Sequence, residues 1–216
     1  MSKIEACIFD LDGVVVDTAK YHYKAWKRLG ETLDFDFTLD DNEKLKGVSR
    51  MDSLNILLEI GGVKLSEEDK TKYATLKNTW YNEFVDKMTP AELMPGTITL
   101  FEGLKAQGYK IVLGSASKNA IKILDKLKIT HWFDVIIDGT KTAKAKPDPQ
   151  VFLLGAEGVN ISPGKCVVFE DAVAGVEAAL NAGMYCVGIG KSNVLFKAHK
   201  VVSGLDKVSV DMISNL

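Results

Sequence analysis

Four short stretches of this 216-residue chain carry residue types that could do chemistry together. The first, CIFDLDGVVVDT over 7–18, sets two aspartates, Asp10 and Asp12, one residue apart in a run that otherwise reads as a buried strand. Carboxylates in such a run are costly unless they are paired, hydrogen-bonded or bound to a cation. Ser115 follows in YKIVLGSAS, Lys146 in KAKPDP, and Glu170 with Asp171 in CVVFEDAVAG. Taken singly, each has an ordinary use: an aspartate or Ser115 as a helix cap, Lys146 as a solvated loop lysine. Taken together, at the ends of successive apolar runs, they suit phosphoryl transfer. Asp10 is then the nucleophile that forms an aspartyl-phosphate, and Asp12 the group that protonates the leaving oxygen and recovers the proton. Lys146 and the Ser115 hydroxyl balance charge on the transferring oxygens. Several carboxylates at one edge repel one another, so a divalent cation is the expected partner. Oxygen ligands without His or Cys point to Mg²⁺.

What must hold these groups is a parallel sheet. The runs 4–9, 109–117, 134–139, 165–171 and 184–190 are rich in Val and Ile, do not alternate, and end in Gly, Ser or Asp. Such runs read as strands buried on both faces. Amphipathic segments at 97–107, 119–128, 149–158 and 172–182 separate them, with a last short strand at 200–202 and a helix near 206–214. The alternation predicts an α/β fold, a doubly wound (Rossmann-like) parallel sheet core. Residues 16–88 break the rhythm with helical patterns at 18–30, 41–46, 50–60 and 66–87 and no buried strand. The expected organisation is an α/β core of residues 1–15 and 89–216 carrying an inserted all-helical cap domain over 16–88. Thr89, Pro90 and Pro95-Gly96 mark its exit.

Composition narrows the class. With 46% apolar residues, 26% charged residues and a formal net charge of −2, the chain reads as an ordinary globular protein with no overall pull toward nucleic acid or membrane. The three cysteines lie in apolar runs without CxxC spacing, which argues for buried thiols and against a zinc site or disulfide framework. The acidic pair comes too early for a signal-peptide core, and no apolar run approaches the about 20 residues of a membrane span. A cytoplasmic, monomeric enzyme with a small-molecule partner is the expectation.

In order along the chain, DLDGVVVDT, LGSAS, KAKPDP and FEDAVAG resemble the four motifs of the haloacid dehalogenase-like phosphotransferase superfamily. The resemblance covers nearly the whole chain, including a helical cap between the first two motifs. It implies Mg²⁺ held by Asp10, the backbone carbonyl of Asp12 and Asp171, with Glu170 assisting. The second aspartate, Asp12, speaks against dehalogenation. A narrower likeness concerns the cap: LKGVSRMDSL (45–54), SASKN (115–119), DTAKYHYKAW (17–26) and the lysine of TLKN (75–78) are similar to the substrate loops of the β-phosphoglucomutase family. That likeness implies a sugar phosphate as substrate. Gly47, Val48, Arg50 and Ser53 then belong to the cap's substrate loop, with Arg50 gripping the phosphate that is not being transferred. Ala116, Ser117, Lys118 and Asn119 meet that phosphate or the sugar from the core side. Thr18 and His22 sit near the hinge and couple binding to Asp12, Lys77 faces the sugar, and Trp26 borders it.

Two other readings stay open on the sequence. A sugar-phosphate or phosphoglycolate-type phosphatase would use the same core and cap, because the two activities differ only in what accepts phosphate from Asp10. A non-catalytic binding protein with a retired site would be expected to have lost Asp10, Asp12, Lys146 or Asp171; all four are present.

Overall fold

The computed structural model describes residues 3–45 and 48–216. Six strands form within them: β1 (Ala6–Phe9), β2 (Lys110–Gly114), β3 (Val135–Ile137), β4 (Cys166–Glu170), β5 (Tyr185–Ile189) and β6 (Lys200–Val202). All pair in parallel, in the order β3-β2-β1-β4-β5-β6. Ile8 of central β1 lies opposite Val112 on one side and Val168 on the other. The chain winds outward from β1 in one direction and then in the other. That reversal opens a crevice beyond the carboxyl ends of β1, β2 and β4, where ligands collect in such sheets.

Successive side chains on a strand point to opposite faces, and the core divides accordingly. Cys7, Phe9, Ile111, Leu113, Val167 and Phe169 face one layer, with Phe101, Leu104 and Ile123. Those three come from α5 (Thr97–Ala106) and α6 (Ala120–Leu127). Phe9 stacks on Phe169 with ring centroids 4.6 Å apart. Ala6, Ile8, Val112 and Val168 face the other layer, with Phe152, Ala156, Val176 and Ala179. These belong to α7 (Gln150–Gly158) and α8 (Val173–Asn181). A sheet covered on both faces explains why its strands read as continuous apolar runs. The three cysteines are free and buried, as their sequence surroundings predict.

Four helices lie between β1 and β2 ahead of α5: α1 (Ala19–Thr32), α2 (Leu39–Glu43), α3 (Arg50–Gly61) and α4 (Glu67–Val85). They bury Trp26, Leu29, Leu54, Leu57 and Tyr81 in a core continuous with one face of the sheet. The chain enters and leaves this region side by side: Val16 bridges Leu93, and the Met94 N–H donates to the Val15 carbonyl at 3.0 Å. Glu92 fastens the two passages, since Lys20 and the Tyr21 hydroxyl both donate to its carboxylate. Several element bounds shift by a residue or more from the sequence reading, and two of the shifts have a visible cause. Helix α2 starts before 41, because Thr38 and Asp41 form a capping box that sets its first turn earlier. The segment 206–214 splits into a short turn and α9 (Val210–Ser214), because Ser209 caps the second piece by accepting the Met212 N–H at 3.1 Å. No helix among the described residues is long and apolar enough to cross a membrane.

Candidate active site

Asp10 follows β1 directly. Its N–H donates to the Phe169 carbonyl of β4 at 3.0 Å, so the ladder carries it to the sheet's carboxyl edge. There Lys146 Nζ donates to Asp10 Oδ1 at 2.6 Å and to Glu170 Oε1. All three side chains are buried. Burial pushes the Asp10 carboxyl up to about 7, against the pull of Lys146 and with help from Glu170 and Asp12. Burial also works against the Lys146 charge, but the two carboxylates outweigh it and hold the ammonium above its ordinary value. The other Glu170 oxygen accepts the Ala172 N–H at 2.8 Å. Glu170 therefore has both oxygens on protein partners and stands behind Lys146.

Two residues on, Asp12 has a different environment. Thr18 occupies the N-cap of α1 yet makes no cap bond; its hydroxyl donates to Asp12 Oδ1 instead. His22 Nε2 lies 3.8 Å from the same oxygen. Burial favours the neutral acid, but His22 and Thr18 outweigh it and keep Asp12 below the usual carboxylate range. Behind His22, Lys77 Nζ sits 3.0 Å from Nδ1 and 4.2 Å over the Trp26 ring. Lys77 has no carboxylate partner among the described residues, and burial, reinforced by Arg50, pushes it well below its ordinary value. Burial and Lys77 push His22 down as well. A neutral imidazole accepting at Nδ1 carries its proton on Nε2, toward Asp12.

These groups open onto one cavity of about 400 Å³, a size suited to a small ligand. The sheet edge contributes Asp10, Asp12, Lys146 and Asp171, and the loop after β2 contributes Ser115 through Asn119. Within that loop Ser115 Oγ accepts the Ser117 N–H at 3.1 Å, and Ser117 Oγ accepts the Asn119 N–H at 3.2 Å. The helices add His22, Trp26, Arg50, Ser53 and Lys77, and the bend ahead of α3 adds Val48. Arg50 opens α3 because Ser49 caps it, accepting the Asp52 N–H at 3.2 Å. Thr18 and Glu170 stand behind the cavity wall, and Gly47 lies outside the described residues. Asn42 and Asn78 also line the cavity, though the sequence reading singled out neither. Asn42 is 7% exposed, and a buried amide on a short helix is the signal that burial, unlike sequence, reveals.

A model of haloacid dehalogenase-like hydrolases matches residues 4–183. The chain belongs to the haloacid dehalogenase-like hydrolase family. It is 42% identical to a β-phosphoglucomutase of Bacillus subtilis over 97% of this chain and 94% of that one. The crystal structure of a β-phosphoglucomutase from Clostridium difficile superposes with a TM-score of 0.94 at 43% identity, covering 98% of this chain and 96% of that one. A phosphorylated carbohydrates phosphatase of Thermotoga maritima is 34% identical over 84% of this chain and 82% of its own.

Haloacid dehalogenase-like chemistry at this edge asks for a cation, and the residues fit one. Asp10 is pushed up to about 7 by burial, Glu170 and Asp12 against the pull of Lys146, so added positive charge there would favour its carboxylate. Among the described residues no three or more His, Cys, Asp or Glu side chains gather closely enough to hold an ion. Two carboxylates and a carbonyl, completed by water and substrate phosphate, match the habits of Mg²⁺. Gly13 turns the chain at φ +85° beside Asp171, and a Cβ there would overlap the Asp171 carboxylate. Gly175 protects Glu170 in the same way, since a Cβ would overlap that carboxylate. Gly175→Ala should dislodge Glu170 from Lys146, lowering the thermal midpoint and reducing kcat by about tenfold or more. Differential scanning fluorimetry and steady-state assays on the purified variant check both.

Proposed function

We propose that this enzyme is a β-phosphoglucomutase, interconverting β-D-glucose 1-phosphate and D-glucose 6-phosphate through an aspartyl-phosphate and glucose 1,6-bisphosphate. The observation that carries the reading is Arg50. It lines the cavity that holds Asp10 and Lys146, is partly buried, and has no carboxylate partner among the described residues. A desolvated cation without a counter-ion is a site for an anion, and a guanidinium suits phosphate. A cavity with Arg50 on its helical side and Lys146 on its sheet side fits a sugar bearing two phosphates. The 42% identity to a named mutase supports the same conclusion.

The chain's residues divide the work as follows. Asp10 Oδ attacks phosphorus of the bisphosphate, the bond from phosphorus to the sugar oxygen breaks, and Asp12 delivers to that oxygen the proton it took from a sugar hydroxyl when the bisphosphate formed. In the reverse sense a sugar hydroxyl attacks the aspartyl-phosphate, and Asp12, kept ionised by Thr18 and His22, takes its proton. Lys146 and the Ser115 hydroxyl face the transferring oxygens, and Glu170 holds Lys146 in place. Mg²⁺ on Asp10, Asp171 and the Asp12 carbonyl would offset carboxylate charge and draw electron density from the phosphate. Arg50, Lys118 and Asn119 hold the distal phosphate, and Ser53, Lys77 and Trp26 meet the sugar. Residues 16–88 act as a lid whose closure excludes water, the competing acceptor.

A phosphatase reading rests on the Thermotoga maritima relative. One assay separates the two. Enzyme, Mg²⁺ and β-glucose 1-phosphate are mixed with a trace of the 1,6-bisphosphate, with and without chelator. Glucose 6-phosphate should form faster than inorganic phosphate and stop reversibly on chelation. Stoichiometric phosphate release would establish the phosphatase. In the same assay Arg50→Ala should cut isomerisation by about 100-fold or more while changing hydrolysis of a small aryl phosphate by less than about threefold. Equal losses on both substrates would remove Arg50 from the distal site.

A further inference from the structure

Helices α4 and α6 meet along a polar seam. Asn119 Nδ2 donates to Asn78 Oδ1 at 3.0 Å. Further along, Lys122 Nζ donates to Asn82 Oδ1 at 3.3 Å and pairs with Asp86 Oδ1 at 2.9 Å. Lys126 Nζ reaches the Asp86 carbonyl at 3.2 Å. Asn78, Asn82 and the C-cap Asp86 recur at helical spacing along α4, and Asn119, Lys122 and Lys126 do so from the N-cap to the last turn of α6.

The first pair is unusual for its position. Asn119 is the N-cap of α6, where an asparagine side chain ordinarily accepts an N–H of its own helix. Here it makes no cap bond and reaches across to α4. Both asparagines line the cavity, and Asn78 directly follows Lys77. The amide nitrogen of Asn119 is engaged by Asn78, which leaves its Oδ1 and remaining N–H for a ligand.

We propose that Asn78 is a positioning residue that orients Asn119 toward the sugar phosphate only while α4 rests on α6, with Lys122, Asn82 and Asp86 as the second tie. The inference deepens the mutase reading and rests on it. Lys77, next to Asn78 on α4, is held against His22 and Trp26 of α1 within the same helical unit, so that unit meets α6 as one piece. The seam then links closure of the helical unit to completion of the core half of the distal site. An unseated seam leaves the aspartyl-phosphate open to water.

The test is a double-mutant cycle on Asn78→Ala and Asn119→Ala, read by four measurements: KM and kcat for β-glucose 1-phosphate, the ratio of inorganic phosphate to glucose 6-phosphate, labelling of the enzyme by acetyl phosphate, and the thermal midpoint. Asn78→Ala should raise KM and the phosphate ratio about five- to tenfold, as expected for one lost hydrogen bond, with labelling within about twofold of wild type. In the Asn119→Ala background the same change should add less than about twofold. Lys122→Ala lies outside the cavity and should move the ratio the same way by about twofold at low salt, converging on wild type near about 1 M salt. Additive effects of the two asparagine changes, or an equal loss of acetyl phosphate labelling, would overturn the seam's role. So would a Lys122→Ala ratio that stays at the wild-type value. Wild-type enzyme that makes no glucose 6-phosphate would overturn the mutase reading instead, so the two failures are told apart.

Discussion

Asp10→Asn should lower turnover on every phosphate ester by about 10⁴-fold or more, and radiolabelled substrate should leave no phosphate on the protein. The amide keeps the size of the carboxylate and can still accept from Lys146, so the chemistry is lost without a hole in the core. It also removes a carboxylate that burial has already pushed up to about 7. The expected thermal midpoint is therefore at or slightly above wild type at pH 8, where that carboxylate would otherwise be forced to ionise. The sign follows from linkage: a carboxyl whose folded-state pKa is raised binds more protons folded than unfolded, so its contribution to stability falls as pH rises from about 4 toward 7. A phosphorylated Asp10→Asn enzyme would remove the covalent mechanism, and one that melts far below wild type would show the carboxylate to be structural.

How much of this was legible in the sequence depends on the range of the interaction concerned. The strands announced themselves because a sheet covered on both faces needs continuous Val and Ile runs, and each run ended in the polar group that now stands at the crevice: Asp10, Ser115 and Glu170. Strand order was not legible, since nothing local to β1 says that β2 and β4 are its neighbours. Thr18 and Glu170 show the same limit at single residues. Family likeness ties Thr18 to Asp12 in general terms, and only the fold reveals that the hydroxyl leaves the helix uncapped and turns to Asp12 Oδ1. Glu170 reads as one more carboxylate at the metal edge, yet Lys146 and the Ala172 N–H take both of its oxygens. The α4–α6 seam lay beyond reach for the same reason: nothing local pairs Asn78 with Asn119 until two helices distant in sequence are laid together.

The second large effect belongs to Lys146, among the described residues the one cation that contacts both Asp10 and Glu170. Lys146→Met keeps the aliphatic stem, including its packing near the Phe152 ring, where Nζ lies 4.8 Å from the centroid, and removes only the charge. Asp10 and Glu170 would then stand buried beside each other with no counter-ion. Breaking a buried pair in this way costs about 3–5 kcal/mol. The carboxyls can escape that cost by taking up protons, so their folded-state values should rise further. The stability deficit of the variant against wild type should accordingly be small near pH 5 and grow as pH rises toward 8, because the folded variant holds protons that the unfolded chain has released. Turnover should fall by about 10³-fold or more at every pH, since a protonated Asp10 is no nucleophile and an ionised one repels the incoming phosphate. Denaturant unfolding at a series of pH values measures the first effect. A deficit that stays constant across that range would assign Lys146 a packing role and detach it from the two carboxylates.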